Sequence, residues 1–213
     1  MKKTLSYILA IVVCLATLCG CGDTPGGGQT TDGPRDSVML RNALGMQTTD
    51  PADTNETDVL TVNEQIYEGL YTLDESGGGY QPCLAKQVDI SDDATVYTIT
   101  LQDGVKFHNG ETLKASDVVF SYQHFMDNPK YNSYTDMIEK VEALDDSHVV
   151  ITIARPYSPI LHTFFKIKIL SEKEVTSQGS DFGTIANLAG TGPYYMDAET
   201  YRPNSGWTLY AFE

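Results

Sequence analysis

Basic residues are scarce in this 213-residue chain: 14 Lys and Arg stand against 29 Asp and Glu, for a formal net charge of -15. Nucleic-acid binding depends on clustered Lys and Arg that release counterions from phosphates, so that class of partner is excluded. Cysteine is equally sparse. Cys14, Cys19 and Cys21 lie together near the start of the chain and leave Cys83 alone, which excludes a disulfide framework. The histidines, His108, His124, His148 and His162, are dispersed, and none has a metal-type neighbour at helical spacing. No apolar run reaches the ~20 residues that a membrane-spanning helix needs. Motifs for hydrolase elbows, zinc proteases and dithiol redox centres are missing. Gly190-Thr191-Gly192 lacks the third glycine and the following helix of a dinucleotide site. No cofactor is implied, and an enzymatic reading has no residue to rest on.

What is present is a folded domain behind a processing segment. Hydrophobic residues make up 41% and charged residues 20%, a balance that supports a packed core. Residues 1–20 carry Lys2 and Lys3 ahead of an apolar stretch over 5–18, the pattern of an export signal. Leu18-Cys19-Gly20-Cys21 resembles a bacterial lipobox, with Cys19 where Ala or Ser is commoner. That resemblance implies lipidation of Cys21 and attachment to the extracytoplasmic face of the cell membrane. Residues 22–37 have no apolar periodicity and read as a flexible tether of about 20–24 Å.

Periodicity assigns most of the remaining elements. A first strand is expected over 38–43. A helix over 58–69 places Val59, Val62, Ile66 and Leu70 on one face, with Gly69 positioned to end it. A strand over 70–73, a turn at Gly77-Gly78-Gly79 and an extended segment over 86–90 follow. Residues 95–101 alternate as a strand, Gln102-Asp103-Gly104 turns, and 105–108 is expected to return along it, closed by Asn109-Gly110. The next helix, 117–125, is expected to bury Val118, Phe120 (or Val119), Tyr122 and Phe125, with Phe120 against the 95–108 hairpin. Lys114 occupies its N-cap position and cannot accept a hydrogen bond, so the cap is weakened or passes to Ser116. A second hairpin joins 138–144 to 149–154. A helix over 160–165, a strand over 167–170, a helix over 172–177 and a loop over 179–187 come next. Gly190 and Gly192 are expected to take backbone conformations closed to other residues, and Pro193 to start a strand. His108 and His148 fall in turns and are expected at the surface. Cys83 reads as a small buried residue rather than a reactive thiol.

Several motifs fall in a distinctive order: Asp50-Pro51, Tyr67-Glu68-Gly69-Leu70, Pro82-Cys83-Leu84-Ala85, the run from Tyr97 to Tyr122, and Gly190-Thr191-Gly192-Pro193-Tyr194. Together they resemble the family 5 extracellular solute-binding proteins, the peptide- and nickel-binding receptors of ABC importers. The resemblance spans residues 38–213 and corresponds to the first portion of a family member. It implies an α+β fold of the type II periplasmic-binding-protein class, with residues 38–58 and 190–213 in a first lobe. Residues 59–189 would form an inserted accessory domain, and a second lobe would be encoded later in the chain. It also implies capture of a peptide or another small solute in an interlobe cleft, for delivery to permease subunits. By position, Asn55, Glu56 and Thr57 would border that cleft; no catalytic or metal-binding residue is implied. A lipoprotein that uses the same module for surface interaction without transport is the alternative.

Overall fold

The computed structural model describes residues 37–38, 48–184, 186, 188–197, 199–200 and 208–212. The export segment, Cys21, most of the tether and most of the expected 38–43 strand lie outside the described residues.

In chain order, β1 (Ser37–Val38) precedes a 3-10 turn at Pro51–Asp53 and helix α1 (Thr57–Ile66). Strands β2 (Tyr71–Leu73), β3 (Tyr80–Pro82), β4 (Ala85–Ile90) and β5 (Val96–Leu101) follow, then α2 (Ala115–Met126) and a 3-10 turn at Pro129–Tyr131. Helix α3 (Asn132–Thr135), β6 (Ile138–Ala143), β7 (His148–Ile153), α4 (Ile160–Lys166) and α5 (Glu172–Gln178) lead to β8 (Tyr194–Met196) and β9 (Leu209–Ala211).

The largest sheet is antiparallel, in the order β4-β5-β7-β6. Strict alternation in its central strands turns Tyr97, Ile99 and Leu101 of β5, and Val149, Ile151 and Ile153 of β7, to one face. Helix α2 packs against β6 and β7 and closes that face with Val118, Tyr122 and Phe125, all fully buried. Burial of this apolar face is the main force holding sheet and helix together.

The expected return strand is not there. Strand β5 pairs with β4 on one side and β7 on the other, so neither edge is open to residues 105–108. Those residues instead close on themselves. Phe107 N–H donates to the Glu111 carbonyl at 2.9 Å, and Leu113 N–H to that of Val105 at 3.0 Å. Phe107 is fully buried, a plug delivered to the core by a loop rather than a strand. Phe120 is also displaced from its expected place. It is half-buried and packs on a second apolar cluster, because the face centred on Val118, Tyr122 and Phe125 already fills the sheet side. The expected strand over 167–170 reduces to a single bridge between Lys168 and Gly69.

The second cluster joins α1 to a three-stranded sheet of order β1-β9-β8, through Val59, Val62, Ile66, Leu170, Met196 and Leu209. Here the glycines of the 190–192 segment act by size, not by free dihedrals. A Cβ on Gly190 would stand 2.0 Å from the Ile66 carbonyl oxygen, and one on Gly192 2.6 Å from that of Gln65. The end of α1 therefore abuts bare backbone. That helix stops at Ile66, three residues before Gly69, whose own role is close approach: a Cβ there would meet the Phe164 carbonyl oxygen at 2.6 Å.

Candidate ligand-binding site

The segment before Asn55 is strapped down by side chains from distant elements. Asp50 caps the 3-10 turn, its Oδ1 accepting from Ala52 N–H at 2.8 Å. Its other oxygen, Oδ2, accepts from His124 Nε2 on α2 at 2.9 Å. Tyr67 donates its hydroxyl to the Thr49 carbonyl at 2.7 Å, and Tyr131 donates to that of Pro51, also at 2.7 Å. Lys130 reaches both the carbonyl and the carboxylate of Asp53, at 2.6 and 2.7 Å. Thr49 N–H donates to the Gly183 carbonyl at 2.9 Å. Little in the local sequence announces these contacts, since each partner is far along the chain.

From that strap the chain emerges as Asn55, Glu56 and Thr57, all exposed, at the start of α1. Glu56 N–H donates to Thr54 Oγ1 at 3.2 Å, and the Glu56 side chain makes no cap hydrogen bond. The three residues thus share one solvent-facing turn, held from behind by the strap. An exposed amide, a carboxylate and a hydroxyl there can meet a ligand's backbone polar groups or an ammonium.

The electrostatics of the strap centre on His124. Burial opposes its imidazolium, but the hydrogen bond and charge of Asp50, with Asp127 and Asp53 farther off, outweigh burial and raise its pKa above 6.5. His108 behaves oppositely and corrects the surface expectation. It is 9% exposed, donates from Nε2 to the Gly192 carbonyl at 2.9 Å, and has no partner for Nδ1. Its turn is folded onto the 190–192 segment, so the local turn signal misplaced it; burial lowers its pKa, only partly offset by that hydrogen bond. His148 is half-exposed beside Asp145.

Elsewhere, Glu68 gathers a polar cluster, accepting from Thr191 Oγ1 at 2.9 Å and lying 3.4 Å from Cys83 Sγ. Burial, then the Glu68 charge, push the Cys83 thiol up to about 12, which disfavours the thiolate; the residue is half-buried rather than buried as expected. Lys168 lies 4.4 Å over the Phe165 ring, and burial brings it down to about 8. At α2, Lys114 does stand at the N-cap; its backbone N–H donates to Asp117 Oδ2 at 2.9 Å. Asp117 Oδ1 accepts from Glu172 N–H at 3.0 Å, so one buried carboxylate serves two helix starts, and Ser116 takes no part in either bond. A cavity of about 770 Å³ opens beside it, lined among others by Lys106, Glu111, Lys114 and Lys173, and not by Asn55, Glu56 or Thr57. Among the described residues, no group of three or more His, Cys, Asp or Glu could hold a metal ion. No helix among them is long and apolar enough to cross a membrane.

The α+β fold is that of a class, the type II periplasmic binding proteins of the peptide-binding kind, as its likeness to solved oligopeptide receptors shows. Residues 79–213 match the profile of the bacterial extracellular solute-binding proteins, family 5 Middle, and the chain belongs to that family. The glutathione-binding protein GsiB of Escherichia coli K12 is 31% identical over 166 residues, covering 75% of this chain and 32% of its own length. Listeria monocytogenes OppA, solved bound to peptide, superposes with a TM-score of 0.72 at 26% identity, covering 81% of this chain and 38% of its own. NikZ from Campylobacter jejuni, solved with Ni(L-His), gives 0.62 at 32% identity, covering 77% and 33%. The chain thus spans about a third of the length of the curated relatives it matches. The family consists of solute-binding receptors rather than enzymes.

Proposed function

We propose that this chain forms part of the substrate-binding component of an ABC importer, capturing a peptide or related small solute in an interlobe cleft for delivery to permease subunits. Asn55, Glu56 and Thr57 border the cleft, and residues 59–189 act as the accessory domain. A lipid on Cys21 holds the receptor at the extracytoplasmic face of the cell membrane, within reach of its permease. The observation that carries the reading is a solvent-facing polar turn on a rigid backing, in a chain of this family. Ligand-named relatives support the solute class, since glutathione, a peptide and a histidine complex all present amino-acid functionality.

Calorimetric titration of the complete receptor with reduced glutathione and with a di- to pentapeptide library tests the binding. Saturable binding is expected for at least one of them, weakened roughly tenfold or more by Glu56→Ala, the loss of one charge-assisted hydrogen bond. Absence of saturable binding overturns the solute class, and unchanged affinity in all three alanine variants overturns the site. Fatty-acid labelling of wild type, lost in Cys21→Ser together with membrane retention, tests the anchor; an unlabelled, soluble wild type overturns it.

A further inference from the structure

The His124–Asp50 contact couples the core helix to the ligand-bordering turn, and it does so through a titratable group. We propose that His124 is a positioning residue for the turn Asn55–Thr57, whose hold on the strap, and with it ligand affinity, weakens as pH rises. This rests on the reading that the turn borders the ligand.

The geometry is a chain of short contacts. His124 Nε2 donates to Asp50 Oδ2 at 2.9 Å, while Asp50 Oδ1 takes the Ala52 N–H at 2.8 Å. Asp50 is therefore bound on both oxygens, one to the core helix and one to the strap, and the strap runs directly into Asn55. The imidazole is walled by aromatic rings: Phe120 stacked at 6.1 Å, Phe182 edge-on at 5.9 Å and Phe125 edge-on at 6.3 Å. Side-chain exposures of 28% for His124 and 13% for Asp50 make the pair half-buried, so it is screened less than a surface one.

The charged groups acting on this imidazole come from the strap and from its own helix; the segment of Phe182 packs on it with an aromatic ring. Asp50 and Asp53 belong to the strap, and Asp127 to the end of α2. Lys130 engages Asp53 at 2.7 Å and offsets part of that charge. The surroundings are mainly acidic, and the Asp50 carboxylate above all favours the imidazolium and raises its pKa. On deprotonation the hydrogen bond survives as a neutral donor to a carboxylate, but its charge assistance is gone. A second hold on the same strap, Thr49 N–H to the Gly183 carbonyl, lies beside this contact and should loosen with it.

The test uses the complete receptor. Hydrogen exchange at Ala52 and Thr49, corrected for intrinsic base catalysis, needs no ligand. Protection is expected to fall roughly fivefold as pH rises through the His124 titration, read by its ring NMR signals. His124→Gln keeps a donor without the charge, and its profile is expected to be flat. Titration with reduced glutathione or the di- to pentapeptide library should show the same contrast in affinity. Identical pH profiles for wild type and His124→Gln overturn the proposal. Should that variant not fold, Asp50→Asn, which keeps the Ala52 acceptor, gives the same comparison. A pH response in exchange, with affinity insensitive to Asn55→Ala, Glu56→Ala and Thr57→Ala, instead overturns the site reading and leaves the coupling of His124 to the strap in place.

Discussion

The hydroxyl of Tyr131 donates to the backbone carbonyl of Pro51 at 2.7 Å, tying together residues 80 positions apart. Tyr131 is 5% exposed, and its ring meets that of Phe125 edge-on at 4.6 Å. One end of the side chain belongs to the core under α2; the other fixes the backbone that delivers Asn55. Core packing and the position of the candidate site are therefore not separable at this residue.

Removing only the hydroxyl tests this coupling. Tyr131→Phe keeps the ring contact but leaves a buried carbonyl short of a donor, for an expected loss of about 1–2 kcal/mol in denaturant melts. Exchange at Ala52 should rise alongside. A stability change with unaltered strap exchange would show that the hydroxyl serves the core alone.

The backbone contact at Gly190 should be far less forgiving than glycines chosen for their dihedrals. Gly190→Ala would place a methyl carbon 2.0 Å from a carbonyl oxygen at the end of α1, and neither backbone can yield without parting helix from sheet. Loss of more than about 3 kcal/mol is expected, at the upper end of overpacking costs. Gly104→Ala offers the comparison. Its φ of +74° is unfavourable for alanine, but nothing lies within 4 Å, so about 1–2 kcal/mol is expected. Equal thermal shifts in the two variants would contradict this distinction.

These residues also show why parts of the fold were legible in the sequence and others were not. Helices α1 and α2 and strands β5 to β7 follow from side-chain period, a local property that survives folding. The partner of β5 does not, since β7 lies some fifty residues on and the nearby Asp103-Gly104 turn suggested a closer one. The strap was invisible for the same reason: His124, Lys130 and Tyr131 become its clamps only once α2 lies across the sheet. His108 was misplaced because a turn can be buried when another backbone covers it. Asn55, Glu56 and Thr57 were singled out by their place after Asp50-Pro51, and the structure puts all three in solvent at the start of α1.

Phe125 and Phe120 lie five residues apart on α2 and should respond differently to truncation. Phe125 is fully buried against Tyr131 and the sheet, so Phe125→Ala is expected to cost about 3–5 kcal/mol. Phe120 is half-buried against the second cluster and stacked on His124, so Phe120→Ala should cost about 1–2 kcal/mol. The smaller effect should carry a second signature, a pKa change at His124, because the ring helps exclude water from its pair with Asp50. Chemical denaturation and imidazole titration of both variants check this; a larger loss at Phe120 would mean that α2 is rotated.

Two histidines, His108 buried and His124 half-buried, should tilt stability with pH in opposite senses. The pKa of His124 is raised in the folded chain, so its contribution is fully present below the unfolded value of 6.5 and is lost as pH rises through the raised one. That of His108 is lowered by burial, so its contribution is present above 6.5 and is lost as pH falls through the lowered value. Above 6.5, His124→Gln should remove part of the wild type's decline and leave the acid side unchanged. Below 6.5, His108→Gln, which keeps a donor for the Gly192 carbonyl, should remove part of the acid decline and leave the alkaline side unchanged. Carboxylates contribute to the acid limb as well, so each histidine is read as the difference between a variant and wild type at the same pH. The two positions share no hydrogen-bond partner, so the double variant should show the sum of both differences. If His108→Gln instead alters the alkaline limb, the imidazole is charged in the fold, and its bare Nδ1 must have found a partner.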